Sequence, residues 1–229
     1  MAANEIKNLA ITYGAYAMNG DTSWRENRAG LQAARSGGYF YFSKMGFDTK
    51  GLDIGKSVSL SLTITTSQTS NPYGTSAILT TSELTPSQVH NITSEEVLDA
   101  TEGYVAYVHC TSHTSNGNVN PGAKVTYTFD IGNLKPNQEY FIYIKRRIGW
   151  TNAATGGTNG YTVWYNPCYS GDDYTKYTTL TLTYEKGGYV NIDLGTSFGK
   201  HIAYIDNGTS FDKYVPYIDD GTMWHKYSK

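Results

Sequence analysis

The 229-residue sequence has no long apolar run, and nothing in it approaches the roughly 18 consecutive apolar residues that a membrane-spanning helix needs. Residues 1–7 also lack the apolar core of a secretory signal peptide. The sequence therefore predicts a protein with no membrane partner. If it acts outside the cell, we expect it to leave by a route other than secretion, such as cell lysis.

An excess of positive charge is also missing. The 18 Lys and Arg residues face 20 Asp and Glu residues, which gives a net charge of -2 and a pI near 6.2. Nucleic-acid binding depends on clustered positive charge, so the composition predicts no nucleic-acid partner. The densest basic cluster is Lys145, Arg146 and Arg147. It continues an apolar strand pattern, and we expect it to be a solvated strand end.

Cysteine is scarce. Cys110 and Cys168 stand in unrelated contexts, so two separate thiols are expected, although a disulfide between them stays open. Charged residues make up only 17% of the chain, whereas there are 21 Tyr and 24 Gly. Tyr suits a half-buried pleated sheet and Gly supplies turns. The composition thus indicates an all-β protein that works outside a cell or on a particle surface.

Apolar and hydroxyl side chains alternate along three segments, 58–65, 124–131 and 179–184. A period of two residues indicates strands with one buried and one exposed face, as in a β-sandwich. Two short helices are predicted to begin at Thr85 and Ser94, whose hydroxyls suit the N-cap position. Further strands are predicted at 39–42, 104–108, 140–144 and 161–165.

A different pattern follows Gly187 and Gly188. Three thirteen-residue units, 189–201, 202–214 and 215–227, carry the same residue types in the same phase. The repeated positions are Asp193, Asp206 and Asp219, then Gly195, Gly208 and Gly221, and then Phe198, Phe211 and Trp224. Each unit is predicted to be a hairpin with an Asp-x-Gly turn, and the three are predicted to stack, because one hairpin alone is marginally stable.

These patterns predict a jelly-roll-like β-sandwich over residues 1–186 and a small β-hairpin repeat appendage over 187–229. Calcium binding at the repeat turns stays open, since each turn offers only one or two carboxylates.

Candidate catalytic and metal-binding residues lack a suitable context. Ser197 lies in a Gly-x-Ser-x-Gly match, but this is one position of a structural repeat, so a turn serine is expected. His109 and His113 lie where a strand enters a loop, which does not favour a zinc site. Adjacent acid pairs at 95–96, 172–173 and 219–220 are expected to be solvated. The sequence thus predicts a non-enzymatic protein with no catalytic residue, metal or cofactor.

Aromatic side chains are the strongest candidates for binding. Trp150, Trp164 and Tyr165 bracket the uncharged loop 151–160. Tyr and Trp in polar loops favour stacking on sugars and contact with partner proteins. We therefore predict an exposed patch that binds a glycan or a partner chain. The alternative is that these side chains only form the rim of the sandwich core.

From 58 to 185 the chain resembles jelly-roll domains of the DNRLRE type, which are similar to carbohydrate-binding modules. The resemblance lies in a first Leu/Thr strand, the segment 78–87, the strand 125–131 leading to Leu134, the strand 141–144 and the closing strand 180–184. It implies a jelly-roll sandwich with lectin-like loops.

Residues 189–227 resemble C-terminal repeats of virion structural proteins in phages and prophages of Gram-positive gut bacteria, most clearly at 204–208 and 217–221, Tyr-Ile-Asp-Asn-Gly and Tyr-Ile-Asp-Asp-Gly. Such proteins belong to tails, baseplates or particle-surface fibres. The resemblance implies a place on the virion surface, other virion proteins as partners, and a homo-oligomer, most often a trimer.

Taken together, the two resemblances imply attachment to host cell-surface glycans or to neighbouring virion subunits. One alternative is a purely structural capsid-decoration or head-fibre protein that binds no sugar. The other is an enzyme that degrades polysaccharide, which the lack of a convergent acid pair disfavours.

Overall fold

The first part of the chain is built from antiparallel strands joined by turns and two short helices. The strands are β1 (Asn4–Leu9), β2 (Ile11–Met18), β3 (Arg25–Glu26), β4 (Leu31–Ser36), β5 (Tyr39–Asp48), β6 (Ile54–Thr65), β7 (Thr75–Thr80), β8 (Tyr104–His109), β9 (Lys124–Asp130), β10 (Glu139–Arg146), β11 (Thr162–Tyr165) and β12 (Thr178–Lys186). The helices are α1 (Pro86–Asn91) and α2 (Glu95–Asp99), and a 3-10 turn spans Pro72–Gly74.

The computed structural model describes residues 4–18, 20–26, 31–36, 39–132, 134–149, 162–165, 178–186, 189–193, 198–202, 217–219 and 224–226. The chain divides into two compact units, Met1–Glu185 and Lys186–Lys229.

Nested antiparallel pairing gives the first unit its topology. β1 pairs with β12, β5 with β10, β6 with β9 and β7 with β8. These pairs fall alternately into two sheets, with the orders β1-β12-β6-β9 and β5-β10-β7-β8. A long hairpin rolled up in this way is a jelly roll, so the predicted all-β sandwich is confirmed. The second sheet is extended by β2 and β4, which pair with β5, and by β3 and β11.

The first sheet follows the alternation in the sequence. β6, β9 and β12 direct apolar side chains between the sheets, where Leu60, Tyr127 and Leu182 are fully buried. The alternate positions are hydroxyl residues on the outer face, where Ser61 Oγ and Thr128 Oγ1 lie 3.0 Å apart. One apolar face and one hydroxyl face therefore follow from the period of two.

The middle of the second sheet is buried on both faces. Its inner face joins the core between the sheets, and its outer face packs against segment 81–103, which contains α1 and α2. We call residues 81–103 the covering segment. Leu84 binds this segment to the sheet, because its N–H donates to Tyr143 Oη at 2.7 Å and its carbonyl accepts from Trp24 Nε1 at 2.8 Å. All of β7 and all but the ends of β10 are buried. These two strands therefore lack the alternation of the first sheet.

Both helices of the covering segment begin where the sequence predicts. Thr85 Oγ1 accepts from Gln88 N at 3.3 Å, and Gln88 Oε1 accepts from Thr85 N at 2.8 Å, which is a capping box. Ser94 Oγ accepts from Val97 N at 3.4 Å at the start of α2. The caps satisfy N–H groups that a helix of one or two turns leaves unpaired.

The expectation that Lys145 is a solvated strand end is wrong. Lys145 is only 4% exposed, and its Nζ donates to the carbonyls of Val89 (2.5 Å), His90 (3.2 Å) and Ile92 (2.5 Å) at the C-terminal end of α1. The side chain lies on the outer face of the second sheet, where the covering segment excludes water. The two arginines that follow are half-buried. The carbonyl groups at a helix C-terminus are acceptors for a Lys side chain, and these three bonds offset part of the cost of burying the amine.

Lys44 is a second buried lysine under the covering segment. It is 1% exposed, and its Nζ forms an ion pair with the carboxylate of Glu83. The same Nζ lies 5.1 Å from the ring centroids of both Tyr13 and Trp24. The aromatic faces and the carboxylate together offset the removal of this ammonium group from water.

Two antiparallel hairpins are described in the second unit. β13 (Tyr189–Asp193) pairs with β14 (Phe198–Ile202), and β15 (Tyr217–Asp219) pairs with β16 (Trp224–Lys226). They correspond to the first and the third of the repeat units.

The two hairpins have the same register. Asp193 lies opposite Phe198, and two repeat lengths further on Asp219 lies opposite Trp224. Asp206 and Phe211 of the middle unit, and the turn residues Gly195, Gly208 and Gly221, lie outside the described residues. The array of three stacked hairpins and calcium binding at its turns therefore stay predictions.

Candidate binding surface

The predicted patch of Trp150, Trp164 and Tyr165 is only partly described. Trp150 directly follows Gly149 and lies outside the described residues. Trp164 and Tyr165 lie in β11, whose backbone pairs with Gln32 and Leu31 of β4, but their side chains are outside the described part. The backbone of β11 lies beside the 3-10 turn that carries Tyr73. The exposure of the patch stays a prediction.

Next to the backbone of β11 lies a cluster of aromatic and charged side chains, which we call the aromatic edge. It consists of Tyr73, Tyr104, Tyr107, His109 and Arg147, which are half-buried, and Glu95, which is exposed. β8 supplies three of the six and is the last strand of the second sheet. The others come from the 3-10 turn, from the chain after β10 and from α2. Because four parts of the chain contribute, only the folded unit brings these residues together.

Arg147 is held over an aromatic ring. Its backbone N–H donates to Gly74 O at 2.8 Å, which fixes the chain as it leaves β10. Its guanidinium carbon lies 5.0 Å from the ring centroid of Tyr73, and its Nη1 donates to Tyr73 O at 3.4 Å. Stacking on Tyr73 keeps the positive charge beside the second sheet, because a guanidinium is planar and weakly hydrated.

His109 is oriented through its Nδ1 atom, which lies 2.9 Å from Ser76 Oγ. Ser76 Oγ also accepts from Ile148 N at 3.1 Å, so its own proton can be donated to His109. Burial lowers the pKa of His109 from 6.5, and the charge of Arg147 lowers it further, while Glu95 opposes the shift. The neutral imidazole is therefore the favoured form near neutral pH.

Acidic groups lie at the other end of the aromatic edge. Tyr107 Oη donates to Glu95 Oε1, and this bond, with burial, raises the pKa of Tyr107 to about 12. Burial also raises the pKa of Tyr104, and the charges of Asp99 and Glu95 add to this shift. Both phenols thus remain protonated near neutral pH and act as hydrogen-bonding rings rather than as bases.

The aromatic edge is equipped for binding more than for chemistry. Its half-exposed rings offer flat apolar surface, while Arg147 and Glu95 offer charge of opposite sign. Tyr107 and His109 are also in edge-to-face contact, with ring centroids 5.6 Å apart. Rings held by such contacts lose little conformational freedom when a ligand binds.

Cys110 lies near the aromatic edge but is buried and carries a free thiol, as expected. Its Sγ lies 3.6 Å from Ser112 Oγ and 4.0 Å from His113 Nδ1, and burial raises the pKa of the thiol. A thiol that is buried and protonated is a poor nucleophile. Cys168 lies outside the described residues.

The other residues considered as catalytic or metal-binding do not converge in the part of the chain that is described. His109 and His113 have different partners, Ser76 and Ser112, respectively. Within the described ranges, no three or more His, Cys, Asp or Glu side chains are grouped to hold a metal ion. Ser197 and the acid pair 172–173 lie outside those ranges, so the expected lack of catalysis stays a prediction.

Sequence reasoning missed the aromatic edge. The only local signal was the Tyr, Tyr and His spacing along 104–109, which predicted a strand and nothing about its surroundings. Arg147 was expected to be solvated at a strand end, and Tyr73 belonged to a predicted loop.

No helix in the described ranges is long and apolar enough to cross a membrane. The sequence matches no known protein family, and no curated protein is significantly similar to it.

Proposed function

We propose that the chain is a non-enzymatic component of a phage particle surface or tail. In this role, the aromatic edge and the predicted patch of Trp150, Trp164 and Tyr165 attach the particle to glycans on the host cell surface. The observation that carries the proposal is the aromatic edge itself, half-exposed rings and charged groups held in place next to the segment that contains the predicted patch.

The chemistry of the aromatic edge suits a saccharide. Sugar rings stack on flat aromatic faces, and their hydroxyl groups exchange hydrogen bonds with charged side chains. Tyr73 is held under Arg147, and Tyr107 is held by Glu95. Such prior ordering reduces the entropy that binding would otherwise lose.

The place on a virion is proposed from the three thirteen-residue repeat units at 189–227. In this proposal the second unit joins other virion proteins or further copies of the chain, with a trimer favoured, and the first unit faces the host. Several copies on one particle would raise the overall avidity without any new contact. The competing proposal is a decoration or head-fibre subunit that binds no sugar.

The test is binding of the full chain to purified cell walls of Gram-positive bacteria. We expect Trp150→Ala and Trp164→Ala each to weaken binding by about 1–3 kcal/mol, as aromatic anchors of an interface do, without unfolding the protein. Ile6→Ala is the matched control, because Ile6 is 73% exposed on β1, which belongs to the other sheet. If both tryptophan variants bind cell walls normally, the predicted patch does not contact the glycan. Absence of binding by the unmodified chain would favour the structural subunit.

A further inference from the structure

The two ends of the aromatic edge differ in charge. Arg147 lies at the Tyr73 end, whereas Glu95 and Asp99 act on Tyr104 and Tyr107. Glu95 is already held by the Tyr107 hydroxyl. Among the described residues of the aromatic edge, the positive charge thus lies at the Tyr73 end and the carboxylates at the other end.

His109 lies between these two ends. The groups that act on it are Arg147 from the chain after β10, Glu95 from α2, Tyr107 on its own strand and Ser76 on β7. Arg147 affects His109 more strongly than Glu95 does. Of these two charges the positive one thus has the larger effect on the imidazole, which suits a negatively charged ligand.

The geometry of His109 points the same way. Its Nδ1 atom is paired with Ser76 Oγ at 2.9 Å, so Nε2 is the ring nitrogen that this hydrogen bond does not use. In the neutral ring with Nδ1 as acceptor, Nε2 carries the proton and is a hydrogen-bond donor. A guanidinium plane and an imidazole N–H on one surface are donors that carboxylates and phosphates accept from.

We propose that the glycan bound by the aromatic edge carries an anionic group, a carboxylate or a phosphate, that is recognised by Arg147 and His109. This inference rests on the proposed function and adds the class of ligand. It also implies that binding is linked to pH. The anion offsets the field of Arg147 at His109, which favours the imidazolium, so the affinity rises as the pH falls through the titration of His109.

The experiment measures binding of the full chain to three oligosaccharides of similar length: a uronic acid oligomer, a phosphorylated glucan and a neutral glucan. Titration calorimetry is performed at about pH 8 and about pH 5.5, on either side of the ordinary range of histidine pKa values. We expect at least one anionic oligomer to bind roughly tenfold more tightly than the glucan, as a charge-assisted hydrogen bond allows. The anionic oligomer that binds identifies the source of the charge.

Three variants test the residues. Arg147→Gln is expected to abolish the preference for the anionic oligomer, and Arg147→Lys, which keeps the charge but not the planar fork, to retain part of it. His109→Gln is expected to keep the preference for the anionic oligomer at about pH 8. It is expected to lose the rise in affinity for that oligomer between about pH 8 and about pH 5.5. Lys124→Gln is the matched control, since Lys124 is an exposed cation on β9 of the other sheet, and no change is expected.

The outcomes separate the two proposals. If the glucan binds as tightly as the anionic oligomers, or if Arg147→Gln keeps the preference, the anionic ligand is wrong while glycan attachment stands. If the chain binds none of the oligomers and no cell walls, glycan attachment is wrong and the anionic ligand falls with it. If Arg147→Gln does not fold, the partial loss expected for Arg147→Lys decides the question.

Discussion

The burial of Lys145 should make the stability of the first unit depend on pH. Burial, with the nearby charge of Arg146, lowers the pKa of Lys145 from 10.5 to about 7. In the unfolded chain the amine takes up its proton near the ordinary value, but in the folded unit it does so only near neutral pH. Between these values the unfolded state binds more protons, so stability falls as the pH is lowered and becomes constant once both states are protonated.

The size of the effect follows from the shift. A difference of about 3.5 pKa units corresponds to about 5 kcal/mol over the whole range, at about 1.4 kcal/mol per unit. From about pH 9.5 to about pH 7 the expected loss of stability is about 3 kcal/mol. His90 stays neutral throughout this window, because burial and the charge of Lys145 lower its pKa from 6.5.

The perturbation is Lys145→Met, which keeps a long apolar side chain but removes the titrating group. Loss of the bonds to the carbonyls of α1 changes stability by an amount that does not depend on pH, so only the slope with pH is diagnostic. Urea unfolding of both proteins at several pH values gives this slope. We expect the unmodified protein to lose about 3 kcal/mol relative to Lys145→Met across the window.

Lys124→Met is the matched control, because Lys124 is exposed on β9 and its Nζ donates to Thr65 Oγ1 at 2.6 Å. Its stability should follow that of the unmodified protein at every pH. If Lys145→Met does the same, the ammonium group is solvated and the covering segment does not exclude water from it.

Two further predictions concern the covering segment. Gly103 has φ +68°, and a Cβ there would lie 2.6 Å from Ser82 N, so Gly103→Ala should destabilise the protein by about 2–4 kcal/mol in urea unfolding. Gly51→Ala is the control, because Gly51 has φ +73° but open space around it. We expect Gly51→Ala to lose only about 1–2 kcal/mol of stability. Equal losses of stability in the two variants would contradict the close contact between a Cβ at position 103 and Ser82 N. Tyr143→Phe should cost about 1–3 kcal/mol, because it leaves the buried N–H of Leu84 without its acceptor. Tyr184→Phe is the control, because the hydroxyl of Tyr184 donates to Glu5, which is exposed, and its loss should destabilise the protein less. If Tyr184→Phe is the less stable of the two variants, the bond from Leu84 N–H to Tyr143 does not hold the covering segment in place.

The first sheet could be predicted from sequence to a large extent. The Leu, Ser and Thr pattern of β6, β9 and β12 specifies which side chains face the core, because a strand exposed on one face must alternate. The N-caps of α1 and α2 were also visible, since a capping hydroxyl acts on residues three positions away.

The second sheet and the aromatic edge could not be predicted in the same way. Strands buried on both faces carry no alternation, so β7 and β10 gave no sign of what covers them. Lys145 follows an apolar strand, and nothing local indicates that the carbonyls of α1, more than fifty residues earlier, will lie against it. The contact of Arg147 with Tyr73 likewise depends on the complete strand order.

The position of β12 in its sheet has a consequence for how the protein is made. β12 lies between β1 and β6, although it is the last of the three to be synthesised. Until residue 186 has left the ribosome, the backbone groups of β1 and one side of β6 have no partner strand, and such open edges favour aggregation. A chain that stops before Thr178 would keep both edges open for good. The residues of the second unit follow β12, so the first unit can close its sheet while the rest of the chain is still being synthesised.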